Sequence, residues 1–220
     1  PMVALEGSDE KYVTLRGDII LQPDTLNKRE MRINKKLKPY IKTSLRGDTL
    51  VIELDPEKVG QINSDKEIQR YPYQLFDAQI HLPVSGSLHL LSRMDGLNLR
   101  AKGLDVDTLS IEMNKGRFDL TNSKIKYLNT RRKGGNYQDE YVSKNNSIGT
   151  YVLDLRNIYP HSLKLSNDSI HIFNLYGAGR TDSYSIPSNM KINTLNWYPR
   201  KKDKPLKVEV SDSLSVKFMK

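Results

Sequence analysis

Apolar residues recur along this chain in i, i+2 pairs. "LHLLSRMDGLNLRAKGLDVDT" runs from Leu88 to Thr108, and "LSIEMNKGRFDLTNSKIKYLN" from Leu109 to Asn129. Set one under the other, Leu88 falls on Leu109, Leu90 on Ile111, Leu97 on Phe118, Leu99 on Leu120, Leu104 on Ile125 and Val106 on Tyr127, a spacing of 21 residues. A two-residue spacing puts both side chains on one face of an extended strand. In each unit the pairs begin at offsets of 0, 9 and 16, with Gly, Asp, Asn, Ser and Lys between them. The pattern predicts three short strands per unit, joined by turns. Helix is a poor fit, because the i+3 and i+4 positions are repeatedly polar.

Such a unit cannot bury its apolar face alone. Stacking the next unit about 4.8 Å above it pairs the backbones in parallel and layers Leu on Leu and Ile. A one-residue slip would turn the inward row out to water, so the register is expected to hold. The expected fold class is all-β: a parallel β-helix of roughly three-strand coils with a 21-residue repeat. A β-sandwich ranks second, since it explains alternation but gives no reason for a shared register.

The pattern continues at Leu153/Leu155, Leu163/Leu165 and Ile170/Ile172. Between them "TRRKGGNYQDEYVSKNNSIGT", Thr130 to Thr150, is polar and rich in Gly and Asn, and reads as an inserted loop. Upstream, Phe76/Ala78 and Ile80/Leu82/Val84 resemble a degraded coil, and downstream "LKVEVSDSLSVKF" alternates as a last strand or hairpin. "KYVTLRGDIILQ", "KREMRIN" and "DTLVIELD" are expected to form an antiparallel cap over the first coil. The whole reads as a single domain, residues 1–220: a strand cap over about 1–60, coil repeats over 76–176 with an inserted loop at 130–150, and C-terminal strands over 177–220.

Two stretches carry a family resemblance. "NKKLKPYIKTSLRGDTLVIEL", Asn34 to Leu54, and "VSGSLHLLSRMDGLNLRAKGLDVDTLSIEMNKGRFDLTNS", Val84 to Ser123, resemble the bacterial auto-transporter adhesin family with a head GIN domain. The shared features are a strand, Gly-Asp turn, strand opening and then short L-x-L strands between Gly/Asn/Ser turns. The resemblance implies a right-handed parallel β-helix, secreted or lipoprotein-anchored in a Gram-negative cell envelope, adhesin-like and without established chemistry. This chain has fewer Gly-Ser-Gly turns and a longer basic insertion, and it opens on "PMVALEGSDEKY", where no signal peptide is visible. A lipid anchor would lie upstream.

Composition narrows the functions. Hydrophobic content of 37% and charged content of 28% describe a folded, polar protein. No apolar run reaches the ~18 residues that a membrane-spanning helix needs. With no cysteine, disulfides, thiolate metal sites and cysteine nucleophiles are excluded. Of the net charge of +9, most lies in residues 131–220, where 15 Lys and Arg face 8 Asp and Glu. "RRK" at Arg131–Lys133 and "RKKDKPLK" from Arg200 hold much of it. Such a patch attracts nucleic acid, anionic glycans or lipid headgroups, although charge runs are more often simply solvated.

Catalytic signals are sparse. "LRGD" occurs at Leu15–Asp18 and Leu45–Asp48, where Gly-Asp is ordinary hairpin material. His81, His89, His161 and His171 show no metal-ligand spacing, so neither a metal nor a cofactor is expected. His89 and His171 should face solvent from strands. Coil stacking would place Asn98 beside Asp119, Arg100 beside Thr121, and Asp105 beside Lys124 and Lys126. That is no carboxylate ladder of the kind a hydrolase uses. No G-x-S-x-G, P-loop or Rossmann glycine pattern occurs.

The most suggestive residues are aromatic. Tyr71-Pro72-Tyr73, Tyr159-Pro160 and Trp197-Tyr198-Pro199 put rings next to prolines, and proline belongs at turns and strand ends. These rings either plug the core or, with Arg131, Arg132, Tyr137 and Tyr141 of the insertion, form a binding surface. The first expectation is a non-catalytic envelope protein presenting that surface to a glycan or protein partner. A polysaccharide-acting β-helix enzyme is the alternative, and a nucleic-acid binder ranks last.

Overall fold

The computed structural model describes residues 2–6, 17–24, 31–33, 35, 38–47, 49–55, 58, 78–82, 86–92, 97–114, 116–132, 140–156, 162–177, 189–198 and 215–218. Its strands are β1 (Met2–Glu6), β2 (Gly17–Pro23), β3 (Met31–Ile33), β4 (Ile41–Arg46), β5 (Thr49–Leu54), β6 (Ala78–Leu82), β7 (Ser87–Ser92), β8 (Leu97–Lys102) and β9 (Asp105–Met113). They continue as β10 (Arg117–Thr121), β11 (Lys124–Arg132), β12 (Glu140–Lys144), β13 (Ser147–Asp154), β14 (Ser162–Ser166), β15 (Ser169–Tyr176), β16 (Lys191–Tyr198) and β17 (Ser215–Phe218). Sheet A runs β17-β16-β15-β13-β11-β9-β7-β1-β5-β4, and sheet B runs β14-β12-β10-β8-β2-β6-β3. From β7 to β15 the chain alternates between the sheets, and every neighbouring pair there is parallel. The fold is a parallel β-solenoid of about 4 turns with about 22 residues per turn. A sandwich of antiparallel sheets is thereby excluded. No helix among the described residues is long and apolar enough to cross a membrane.

The register corrects the 21-residue alignment. It holds where β7 meets β9, with Leu88 opposite Leu109 and Leu90 opposite Ile111. On sheet B, however, Phe118 lies opposite Leu99, and Leu97 lies opposite Gly17. Val106 likewise meets Ile125 rather than Tyr127. The chain advances only 19 residues at these steps, and later it advances 23 and then 22, as in Lys124–Ser147–Ser169–Lys191. Turn length absorbs the change, and inward residues still meet inward residues. Of the three apolar segments in each unit, the last is not separate. Val106, Leu109 and Ile111 belong to one strand, β9, with Leu104 at the corner before it, and the alternation is interrupted at Asp107 and Thr108, neither of which is buried.

The N-terminal region is only partly the antiparallel cap. β4 on β5 and β3 on β6 are antiparallel and end the two sheets. β1 and β2 are instead a parallel coil, inserted between β5/β6 and β7/β8. Ile19 and Leu21 of that coil are buried beside Leu99 and Ala101.

Residues 130–150 are not one loop. β12 crosses the segment, with Tyr141 inward beside Phe118 and Ser143 beside Leu120. Their polarity hid the strand. The same principle explains the corners leading from sheet B to sheet A. Gly103, Asn122, Asn145 and Asn167 each adopt positive φ, 67°, 50°, 58° and 54°, the region that Gly and Asn tolerate best. The next residue then points inward: Leu104, Ser123, Asn146 and Asp168, with Met190 ahead of β16. Its N–H faces the next coil, where a side chain accepts it. Leu104 N donates to Ser123 Oγ (3.1 Å), Ser123 N to Asn146 Oδ1 (2.8 Å), Asn146 N to Asp168 Oδ1 (2.8 Å) and Asp168 N to Met190 Sδ (3.4 Å). Asn146 Nδ2 further donates to Leu120 O, Ser143 Oγ and Asp168 Oδ1. Each such buried bond contributes about 1 kcal/mol, and losing one partner costs more.

Between the corners run apolar ladders. Val106, Ile125, Ile148, Ile170 and Ile192 form one, and Leu88, Leu109, Leu128, Tyr151, Phe173 and Leu195 another. Tyr151 and Phe173 stack with centroids 5.0 Å apart.

Asp168 is the strained member of the corner series. It is 1% exposed, and its Oδ2 has no hydrogen-bond partner among the described residues. Burial pushes its carboxyl above the ordinary aspartate value, against the smaller opposing pull of Ser143 and Asn146. A carboxyl whose folded value is raised favours the fold while it is protonated, and that contribution is lost as pH rises through the folded value. Asp168→Asn should therefore stabilise the chain at pH 7 by about 1 kcal/mol. The gain over wild type should shrink as pH falls toward 4, in urea melts run at both values. An equal effect at both pH values would contradict the assignment.

Candidate binding site

Outward residues of sheet A alternate with the buried ladders and fall into rows of their own. One row runs Glu112, Arg131, Asp154, Tyr176 and Tyr198, each opposite the next. At about 4.8 Å per strand, Arg131 and Tyr198 stand roughly 14 Å apart. Two of the expected binding residues, 67 positions apart in sequence, are thus brought onto one line.

Tyr176 and Tyr198 stack face to face, with centroids 4.1 Å apart and ring planes within 5°. From the β13 side the Arg156 guanidinium lies 5.4 Å from the Tyr176 centroid, in range for a cation–π contact. Arg156 also forks onto Asp154: Nε donates to Oδ1 (2.9 Å) and Nη2 to Oδ2 (2.7 Å), and the Arg156 N–H adds a bond to Oδ1 (3.1 Å). Burial alone would raise the Asp154 carboxyl. The hydrogen bonds and charge of Arg156, with the more distant Arg131, instead hold it below the ordinary aspartate value. Burial raises the Tyr176 phenol, and Tyr198 adds to that shift, so the ring stays neutral at physiological pH. In the neighbouring outward row Asn196 Nδ2 donates to Asn174 Oδ1 (2.9 Å). A planar aromatic stack beside fixed amides and a guanidinium–carboxylate pair can hold a ligand with one apolar face and polar edges.

Arg156 keeps its place because Gly177 allows it. Gly177 has φ +72°, donates its N–H to Tyr198 O (2.8 Å), and a Cβ there would come within 2.5 Å of Arg156 Cα.

The remaining expected site residues divide. Tyr141 and Trp197 are core side chains rather than surface, 3% and 4% exposed, because both occupy inward positions of their strands, opposite Phe118 and Leu175. Arg131 is exposed and acts on Asp154 through its charge. Arg132 ends β11, and its side chain lies outside the described residues, as do Tyr71, Tyr73, Tyr137 and Tyr159 entirely. Asp154, Arg156 and Tyr176 were missed. Their signal was available: Asp154, Tyr176 and Tyr198 each follow an inward residue at 22-residue spacing.

Elsewhere, Asp105 lies opposite Lys124 as expected, whereas Arg100 lies opposite Asp119 and not Thr121. On the outer face of sheet B, Arg100 reaches Asp18 (2.8 Å) and Asp119 (3.7 Å), and Asn98 Nδ2 bonds Asp18 Oδ1. Asp107 pairs with Lys126. Asp18 is therefore a strand residue, whereas Gly47 does turn the β4–β5 hairpin at φ 64°, with Arg46 held by Glu53. His89 and His171 are exposed, and His171 Nδ1 meets Asn193 Nδ2 at 2.9 Å. Among the described residues no cluster of three or more His, Asp or Glu side chains is placed to hold a metal.

Gly177→Ala should destabilise the fold by about 2 kcal/mol or more, from backbone strain and the clash with Arg156. It should also weaken the near-ultraviolet circular dichroism of the tyrosine stack. A variant with wild-type stability and spectrum would show that the Arg156–Gly177 contact does not position the stack. Comparisons with protein-family models, curated proteins and solved structures found no match to this chain.

Proposed function

We propose that the protein is a non-catalytic β-solenoid of the bacterial cell envelope, adhesin-like, that holds a glycan on the outer face of sheet A. The observation that carries the reading is the row Arg131–Asp154–Tyr176–Tyr198, in which a stacked tyrosine pair, an ion pair whose Asp154 is itself buried, and an exposed arginine stand in one line. Sugar rings present C–H faces that pack on aromatic rings, and hydroxyls that suit Asn174 and Asn196. Parallel strands hold all of these groups at fixed spacing, so little side-chain order is lost on binding. The envelope part of the proposal is supported only by the resemblance of the Asn34–Leu54 and Val84–Ser123 segments, and a lipid anchor upstream would agree with it.

One observation favours the alternative, an enzyme acting on polysaccharide. Asp18 and Asp119 flank Arg100 on the outer face of sheet B, which places two carboxylates on one surface. Both are engaged by the arginine, whereas acid or base work requires a carboxyl that exchanges protons with the substrate.

A glycan array probed with the intact chain should yield binders, and Tyr198→Ala should weaken the best of them about tenfold, as the loss of a stacking ring predicts. Binding unaffected by Tyr198→Ala would place the site elsewhere. Release of shortened oligosaccharides that stops with Asp119→Asn would establish the enzymatic reading in its place.

A further inference from the structure

We infer that the glycan site selects acidic sugars, with Arg131 as the receptor for a carboxylate or sulfate and Tyr198 as the platform for a sugar ring further along the chain. The inference rests on the proposed glycan reading and adds its chemical class.

The charges in the row are unequally committed. Both oxygens of Asp154 are taken by Arg156, whose guanidinium also covers the Tyr176 ring. That pair is closed: it offers an incoming ligand neither a bare anion nor an open fork. Glu112 stands on the other flank of Arg131. Arg131 is exposed and acts on Asp154 through its charge. A planar guanidinium of this kind binds carboxylate and sulfate through two parallel hydrogen bonds, which neutral hydroxyls do not reproduce. Residues 131–220 also carry 15 basic against 8 acidic side chains, a net positive charge that favours anionic over cationic ligands.

Geometry sets the size of the occupant. Arg131 and Tyr198 are three strand steps apart, roughly 14 Å, with Tyr176 between them. A single sugar cannot touch both ends, but a short oligosaccharide lying across the strands can. Its anionic group then sits over β11, and a sugar ring packs on the face of Tyr198 turned away from Tyr176. A nucleic acid would also answer to positive charge, but it would be drawn to a continuous basic track. This row instead alternates arginine with a neutralised ion pair and two tyrosines.

The test titrates the full chain by calorimetry with uronate-bearing and sulfate-bearing oligosaccharides, each beside its methyl-esterified or desulfated counterpart, and with single-stranded DNA. At least one acidic oligomer should bind about tenfold tighter than its neutral counterpart, and which series does so identifies the anion. Arg131→Gln should erase that preference, and Arg131→Lys should restore part of it. The inference is overturned by a preference that survives Arg131→Gln, by the absence of any acidic preference, or by DNA binding equally tightly through Arg131. Tyr198→Ala separates the two levels. If it weakens neutral and acidic oligomers alike with no acidic preference, only the selectivity is wrong. If it changes nothing, the glycan site itself is wrong.

Discussion

Inward residues must meet inward residues in every neighbouring coil, and each corner N–H must find an acceptor in the coil beyond. These two demands shape the molecule. The first follows from strand geometry, since a one-residue slip would exchange the faces of a whole strand. The second follows from the corner conformation. After the positive-φ residue the next N–H meets a side chain of the neighbouring coil in place of a backbone carbonyl, and a buried donor left without an acceptor is costly. Ser123, Asn146 and Asp168 answer that demand in turn. Coil length is thereby free to vary, while the direction in which each residue points is not.

The outer surface inherits its order from the inner one. Because Leu153, Leu175 and Trp197 are locked inward in register, the residues that follow them, Asp154, Tyr176 and Tyr198, are locked outward on one line. The stack of two rings at 4.1 Å is therefore close to the strand spacing itself, made visible by placing tyrosine at the same position in successive coils. Binding surfaces of this kind need no loop to organise them. The rigidity of the parallel ladder sets the distance between groups, and substitution of outward residues changes their chemistry without disturbing the core.

Much of the fold was legible because the aliphatic ladders advertise themselves. Leu88 over Leu109 and Leu90 over Ile111 needed only i, i+2 spacing, and the parallel stacking followed. The details that were illegible share one cause: their partners lie in other coils. Ser143 and Asn146 look like turn residues until Asp168 and Leu120 stand beside them, so a strand passed for a loop. The two-residue offset between β8 and β10 was hidden because Leu97/Leu99 and Phe118/Leu120 match equally well at either register. The inserted β1/β2 coil was hidden because sequence order gives no hint that β1 lies between β5 and β7. At the candidate site Arg131 and Tyr198 stood out by residue type, whereas Arg156 gained meaning only from its contacts with Tyr176 and Asp154. Tyr141 and Trp197 show the converse: a conspicuous aromatic residue is decided by its parity in the strand, and theirs points inward.

The most direct test of the stacked-coil account is a nuclear Overhauser spectrum of the chain labelled only at isoleucine δ1 methyls. Neighbouring coils about 4.8 Å apart should give a chain of methyl cross-peaks from Ile125 to Ile148, Ile148 to Ile170 and Ile170 to Ile192. Absence of the Ile148–Ile170 and Ile170–Ile192 cross-peaks in a folded sample would contradict the parallel ladder and, with it, the outward row on which the proposed binding face is built.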